Sequence, residues 1–175
     1  MTAAAPPVGL VEPEVFRAVM AAVCTPVAVV TAMDGNRPHG TTVSAFASLS
    51  LRPPMVVIAL DHGSDLLAYI RHEGRFGLNV LASHQHDIAQ RFARKGHDKF
   101  AEVAWVSDSG VPRIAECAGW LACAVADSIV GGDHTLVLGT VDAASQRVAA
   151  PLTYHRRTFG THHPKAGSGG ESRHE

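Results

Sequence analysis

A stripe of small hydroxyl side chains runs through residues 40–50, G-T-T-V-S-A-F-A-S-L-S. If the segment is one strand, successive side chains point to opposite faces. Short hydroxyls donate hydrogen bonds and leave backbone N–H groups accessible, so such a face suits close contact with a flat polar ligand. The alternative is a Ser/Thr-rich edge strand that faces water. The predicted core face comprises Thr41, Val43, Ala45, Ala47 and Leu49, and the predicted hydroxyl face comprises Thr42, Ser44, Phe46, Ser48 and Ser50.

His134 is a second candidate for chemistry. It follows G-G-D at residues 131–133 and begins the apolar segment T-L-V-L-G at residues 135–139. A histidine can orient a polar group or transfer a proton near neutral pH. The alternative is a turn histidine that faces water.

Several common active-site patterns are absent. The chain has no G-x-G-x-x-G, G-K-[ST] or G-x-S-x-G segment, which argues against a Rossmann site, a P-loop and a hydrolase nucleophile elbow. Among 11 histidines, the pairs at residues 84/86 and 162/163 do not form a convergent ligand set, so no metal is predicted. The 3 cysteines lack a C-x-x-C pair, which predicts reduced and mostly buried thiols.

Length and composition predict one globular domain in 175 residues, with 46% hydrophobic and 18% charged residues. The 15 basic and 16 acidic residues nearly balance, so the chain has no net positive charge that would attract the phosphates of a nucleic acid. No signal peptide or membrane-spanning run is present, so we expect a cytoplasmic protein without a membrane partner. We expect a flexible N-terminus at residues 1–11, a folded domain at 12–160 and a disordered tail at 161–175.

Periodicity predicts a mainly β domain. We expect six to eight strands and two or three short helices, arranged as a closed or partly closed antiparallel barrel. The predicted helices begin near Pro13, Ser64 and Ser83, the last two ending by Gly74 and Gly96; the first is amphipathic and should cover something. The predicted strands include a hairpin at 27–32 and 40–50, a central buried strand at 55–60, a strand at 76–81, a hairpin at 120–130 and 134–141, and a last strand at 154–159.

The ordered motifs T-P-V-A-V-V-T (25–31), P-H-G-T-T-V-S-A-F-A-S-L-S-L (38–51), P-P (53–54), F-G-L-N-V-L (76–81) and G-D-H (132–134) resemble the short-chain flavin reductase family. The resemblance extends from about residue 16 to residue 159. It implies an FMN-binding split β-barrel of Greek-key type and a homodimer with the flavin near the subunit interface. It also implies hydride transfer from NADH or NADPH to FMN or FAD, with diffusible reduced flavin supplied to a separate monooxygenase component.

The resemblance also implies roles for individual residues. His134 would lie beside the nicotinamide, and Gly40 would let the backbone approach the flavin ring. Two departures bear on the site: Arg157 occupies a position where many relatives carry glycine, and Gly63 follows His62. The implied flavin contacts are Thr42, Val43, Ser44 and Ala45 along the isoalloxazine, Ser48 and Ser50 nearby, Asp61, His62 and Ser64 at the phosphate and ribityl chain, and Phe92 and Lys99 over the flavin tail.

Two other functions remain open from the sequence. One is a split-barrel flavoprotein that retains its flavin and reduces another substrate. The other is a non-catalytic flavin-binding protein. The sequence does not determine whether FMN or FAD, or NADH or NADPH, is preferred.

Overall fold

The computed structural model of the protein describes residues 9–96 and 98–165. The flexible segment predicted at residues 1–11 and the tail predicted at 161–175 therefore fall largely outside the described residues.

The described chain is mainly β, as predicted, and contains more strands than expected. Its helices are α1 (Pro13–Ala21), α2 (Asp65–Glu73) and α3 (His86–Ala93), with a 3-10 turn (Ser83–Gln85) before α3. Its strands are β1 (Thr25–Pro26), β2 (Ala28–Asp34), β3 (Arg37–Val43), β4 (Phe46–Leu51), β5 (Pro54–Asp61), β6 (Arg75–Val80), β7 (Trp105–Asp108), β8 (Val111–Ile114), β9 (Gly119–Gly131), β10 (His134–Gln146), β11 (Leu152–His155) and β12 (Thr158–Thr161).

Seven antiparallel strands form the main sheet in the order β3-β2-β6-β9-β10-β5-β4. The two edge strands, β3 and β4, are consecutive in the chain and are joined only by Ser44 and Ala45. The Ala59 N–H donates to the Ala45 carbonyl at 2.9 Å, so this junction reaches β5. The sheet therefore curls until its edges meet at residues 44–45, which we call the seam, and forms a partly closed barrel.

The seam shows that residues 40–50 are not one strand, so the predicted alternation is wrong in its second half. After the bend at residues 44–45, Phe46 packs against the core while Ala45 and Ala47 are exposed. A bulge between Ser48 and Ser50 then leaves Leu49 47% exposed. The bend and the bulge each reset the period of two, because each changes the face to which the next residue points.

Two other strand predictions need correction. Residues 154–159 form the hairpin β11–β12 rather than one strand, with its turn at residues 156–157. Strand β5 has paired neighbours on both sides, but only alternate residues along it are buried. The predicted hairpins β2–β3 and β9–β10 are confirmed.

Two hydrophobic clusters share strand β2. Ala28, Val30 and Ala32 belong to the cluster inside the barrel, whereas Val27 and Val29 belong to a second cluster beneath α3. Both faces of the segment are therefore buried, which explains its unbroken apolar run.

A buried amide links the small hairpin β7–β8 to the barrel. The Asn79 side chain donates to the carbonyls of Val29 and Pro112 and to the Thr31 hydroxyl, at 3.2, 3.3 and 3.2 Å. Its carbonyl oxygen accepts the Ile114 N–H at 2.8 Å. Because Asn79 is fully buried, these bonds satisfy polar groups that water does not reach.

The helix predictions are confirmed in position. Helix α2 ends at Gly74, whose φ of +68° provides a left-handed C-cap. Helix α1 differs from expectation because it has no buried residue, and its apolar residues Val15, Phe16 and Val19 remain exposed. Within this chain, α1 therefore does not cover a core.

Candidate functional site

A groove of about 510 Å³ lies beside Ser44, the first residue of the seam. Three parts of the chain meet there: the end of β3, helix α3 and the hairpin β11–β12. Its lining residues are Val27, Thr42, Val43, Ser44, Ala89, Gln90, Ala93, Arg94, Tyr154, Arg157 and Phe159. Three of the predicted flavin contacts, Thr42, Val43 and Ser44, therefore line one cavity.

Thr42 fixes helix α3 against the sheet. Its hydroxyl donates to the Ala89 carbonyl at 2.7 Å. The donor of that hydroxyl is therefore used within the protein. This bond positions α3 beside the seam.

The seam itself supplies free donors. Ser44 and Ala45 are exposed, and neither donates a backbone hydrogen bond within residues 9–96 and 98–165. Two successive N–H groups are therefore available beside the groove. Such groups stabilise negative charge that develops on a bound molecule.

Gly40 is close to Phe92. A Cβ atom at Gly40 would lie 2.8 Å from Phe92 Cε1 and 3.2 Å from the Val30 carbonyl oxygen. The Phe92 ring is fully buried in the second cluster, and its contact with a flavin tail stays a prediction. Gly40 and Phe92 are packing partners in this structure.

Lys99 connects the same two residues. Its ammonium donates to the carbonyls of Gly40 and Phe92, at 3.2 and 3.0 Å. Partial burial lowers the pKa of Lys99, an effect opposed by Asp65. The lysine thus holds the last turn of α3 onto β3, a role that the sequence did not reveal.

Ser48 and Ser50 lie farther along β4. At a strand rise of about 3.3 Å per residue, they are roughly 10 and 17 Å beyond Ala45. The Ser50 hydroxyl accepts the Arg52 N–H at 3.2 Å and so stabilises the following turn. Neither serine lines the groove.

The structure brings His134 together with the loop at residues 61–64. His134 pairs with Asp61 in the β10–β5 ladder, and the His62 N–H donates to the Asp133 carbonyl at 3.0 Å. Within the loop, Gly63 N–H donates to the Asp61 carboxylate at 2.6 Å. Ser64 occupies the N-cap position of α2, as predicted, but its hydroxyl makes no capping bond.

His134 is partly exposed and is oriented by its neighbour. Its Nδ1 lies 2.7 Å from the Asp133 carboxylate, an interaction that lowers the pKa of Asp133. Ala59, whose N–H donates to the seam, precedes Asp61 by two residues on β5. His134 lies opposite Asp61 on the adjacent strand β10. Strand spacing therefore puts the His134 backbone about 8 Å from the Ala59 backbone. His134 and the loop at 61–64 do not line the groove.

The groove contains residues that the sequence prediction of the site missed. Gln90 lies on α3, Arg94 follows the last residue of that helix, and Tyr154, Arg157 and Phe159 come from the last hairpin. The only sequence signal at these positions was Arg157, noted as a departure from the glycine of many relatives. The two arginines make the groove lining cationic, since no Asp or Glu is part of it.

Other features bear on alternative chemistry. No cluster of three or more His, Cys, Asp or Glu suited to a metal ion occurs in the described ranges. Burial raises the pKa values of Cys117 and Cys123 to about 12, whereas Cys24 is exposed. Among the helices that the structure describes, none has the length and apolarity needed to cross a membrane.

Comparison with known proteins gives consistent matches. Residues 20–163 match the family model described as the flavin reductase like domain. A relative from Rhodococcus opacus, the reductase component of 4-nitrophenol 4-monooxygenase/4-nitrocatechol 2-monooxygenase, is 38% identical over 83% of this chain and 78% of its own. A flavin reductase (NADPH) from Lentzea aerocolonigenes is 39% identical over 85% of this chain and 89% of its own.

A solved structure shares the architecture. It is the Streptomyces globisporus C-1027 NADH:FAD oxidoreductase in complex with NAD and FAD fragments, which superposes with a TM-score of 0.84 at 32% identity. The match covers 91% of this chain and 99% of that chain.

Proposed function

This chain belongs to the flavin reductase-like domain family, and we propose that it binds its flavin in the groove beside the seam. The reaction is the reduction of FMN or FAD by NADH or NADPH. The observation that carries the placement is the pair of unpaired backbone N–H groups at Ser44 and Ala45, next to a groove with a cationic lining.

The groove fits a flavin in size and chemistry. Its volume of about 510 Å³ lies within the range of small-molecule sites, roughly 300–1,000 Å³. Ala93, Tyr154 and Phe159 supply apolar surface for a flat ring, whereas Arg94 and Arg157 supply positive charge. Exposed residues at its rim keep it open to water, which supports a flavin that exchanges as a substrate.

The residues that line the groove would bind and orient rather than perform acid–base chemistry. A bound flavin accepts hydride from reduced nicotinamide and gains negative charge on its ring. The free N–H groups of Ser44 and Ala45 would stabilise that charge, and Thr42 keeps α3 in place beside them. The barrel and helix therefore hold these donors in position before the substrates arrive.

A groove-filling variant tests the placement. Ala93→Trp puts a large side chain into the groove, so the dissociation constant for FMN, measured by fluorescence, should rise about 10-fold or more. Ala68→Trp is the matched control, because Ala68 is an exposed helical alanine on α2 outside the groove. Equal FMN affinity in the two variants would place the flavin elsewhere.

We propose that His134 lies beside the nicotinamide and assists the transfer of hydride from it. Its support is the position beside the loop at 61–64 and close to the strand that contacts the seam. His134→Ala should lower kcat/KM for NADH by about 10-fold or more while FMN affinity is retained. His72→Ala, an exposed histidine on α2, is the control. Unchanged kinetics for His134→Ala would remove His134 from the site.

We propose that the reduced flavin leaves for a separate monooxygenase component, as the Rhodococcus opacus relative's name indicates for that protein. Oxidation of NADH that depends on added flavin and saturates with it is the expected result. Flavin that stays with the protein through gel filtration would instead indicate a retained prosthetic group.

Three free cysteines, one of them exposed, support a location in the reducing cytoplasm.

We also propose a homodimer formed through the outer face of the barrel. Val57 pairs with Leu138 and Ala59 with Leu136, and these four apolar side chains are only half-buried. A second copy would cover this face, as expected for an interface with an apolar core. Leu138→Lys should convert the dimer to a monomer in sedimentation equilibrium, whereas Val106→Lys, on exposed β7, should not. A monomeric wild-type protein would contradict the proposal.

A further inference from the structure

The turn between β11 and β12 has an unusual sequence for its geometry. It contains two residues, Arg156 and Arg157, with φ values of +46° and +64°. Two-residue hairpin turns of this kind prefer Asn-Gly, because positive φ is unfavourable for residues with large side chains. Turn chemistry alone therefore does not account for an arginine at either position.

Arg157 lines the groove, and so does Arg94 from the end of α3. Neither arginine makes an ion pair within the part of the chain that the structure describes. The groove thus gathers two uncompensated cations in a chain whose net charge is −1. Such a concentration of positive charge attracts an anionic ligand.

The neighbouring arginine has different surroundings. Arg156 does not line the groove and instead borders a second cavity, beside Glu14 and Arg17 of α1. Arg157 borders both cavities. Two neighbouring residues with the same charge and with positive φ therefore differ in their access to the groove, which makes Arg156 an internal control.

From this arrangement we infer that Arg157, together with Arg94, recognises a phosphate group of the nucleotide bound in the groove. The guanidinium of arginine binds phosphate oxygens through two parallel hydrogen bonds. FMN, FAD, NADH and NADPH all carry phosphate, whereas riboflavin does not. The inference rests on the proposed function, because it assumes that the groove holds one of these nucleotides.

The test compares Arg157→Asn with Arg156→Asn in the full chain. Asparagine tolerates a positive φ better than arginine and removes the same charge, so the two variants match in strain and in net charge. FMN and riboflavin affinities are measured by flavin fluorescence, and KM values are measured for NADH and NADPH. Arg94→Gln provides a second variant outside the turn.

We expect Arg157→Asn and Arg94→Gln to weaken the binding of one phosphate-bearing ligand by about 10-fold or more. Arg156→Asn should leave all affinities within about threefold of the wild type. Weaker FMN binding with unchanged riboflavin binding assigns the phosphate to the flavin. Raised KM values for NADH or NADPH with unchanged FMN binding assign it to the nicotinamide nucleotide.

Three results would overturn the inference. These are equal weakening of FMN and riboflavin, no effect of Arg157→Asn, or the same effect from Arg156→Asn. Failure of the proposed function looks different, because the wild-type protein would then bind neither flavin. Thermal melting of the unliganded variants checks folding: both asparagine variants should melt at or above the wild-type temperature, since both relieve a positive-φ arginine.

Discussion

The substitution Gly40→Ala distinguishes two roles for this glycine, as a packing partner of Phe92 or as a contact for the flavin ring. The new Cβ would lie 2.8 and 2.9 Å from two atoms of the Phe92 ring and 3.2 Å from the Val30 carbonyl oxygen. Real Cβ atoms do not approach other atoms at the shorter distances, so the ring must move. It has little room, because Phe92 is fully buried and packs edge-on against Phe100 at 4.8 Å between centroids.

The expected loss of stability follows from these contacts. Overpacking a well-filled core costs about 1–3 kcal/mol. Replacing glycine by alanine also stabilises the fold by about 0.4–1 kcal/mol, because it lowers the conformational entropy of the unfolded chain. The free energy of unfolding should therefore fall by about 1.3 kcal/mol at the midpoints of these ranges and by about 2.6 kcal/mol at most, which lowers the melting temperature by roughly 3–10 °C for a domain of this size.

The assay is thermal unfolding of the flavin-free protein at fixed concentration, because ligand binding and assembly both shift the melting temperature. Gly119→Ala is the matched control: a Cβ there would lie no closer than 3.7 Å to Val80, an ordinary contact. The double variant Gly40→Ala/Phe92→Leu should be less destabilised than the sum of its single variants by about 1 kcal/mol. FMN affinity of Gly40→Ala should stay within about threefold of the wild type.

Two outcomes would refute this explanation of Gly40. One is an additive double variant, which would show that the alanine does not press on the Phe92 ring. The other is full stability of Gly40→Ala combined with a large loss of FMN affinity. That second result would support the sequence-based expectation that the backbone at Gly40 faces the flavin.

Three further predictions concern the fold. Asn79→Ala should reduce the free energy of unfolding by about 2–4 kcal/mol in urea, since it removes a buried network; an effect below about 1 kcal/mol would show that the network matters little. In native protein a thiol reagent should modify Cys24 but neither buried cysteine, whose pKa values are raised to about 12, so rapid modification of more than one thiol contradicts the burial. Burial lowers the pKa of His39 below 6.5, so the unfolded chain binds its proton more readily and stability falls as pH drops below about 6.5. His39→Phe keeps a ring against Tyr69 and should lose less stability than the wild type between about pH 7 and 5; parallel pH profiles would rule out a role for His39.

Turns and helix ends could be predicted from the sequence, because each depends on a few neighbouring residues. The turn at residues 34–36 and the G-G-D turn before His134 each predicted a hairpin that the structure contains. The C-terminal end of α2 was predicted because Gly74 alone provides an unstrained left-handed cap there. The ordered motifs identified the family, because their combination depends only on the order of residues along the chain.

Tertiary structure decided where the segment at residues 40–50 breaks. The period-two pattern continues through Ser44 and Ala45 without interruption, so it cannot show that these residues join the two edges of a curled sheet. A strand's pattern records which residues alternate, whereas the register and the bulge at Ser48–Ser50 depend on pairing with β5. The two free N–H groups at the seam are a consequence of that break.

The assembly of the groove also required the fold. Arg94 follows α3 and Arg157 lies in the turn between β11 and β12, far away in the sequence, and neither has a motif that marks it as a ligand contact. Phe92 and Lys99 matched family positions, and the structure adds that both hold α3 against Gly40. The sequence by itself determined the fold class and the family, because these depend on local periods and ordered motifs. Only the packing of α3 and the last hairpin against the barrel determined which side chains share the groove, because side chains distant in sequence become neighbours through tertiary contacts.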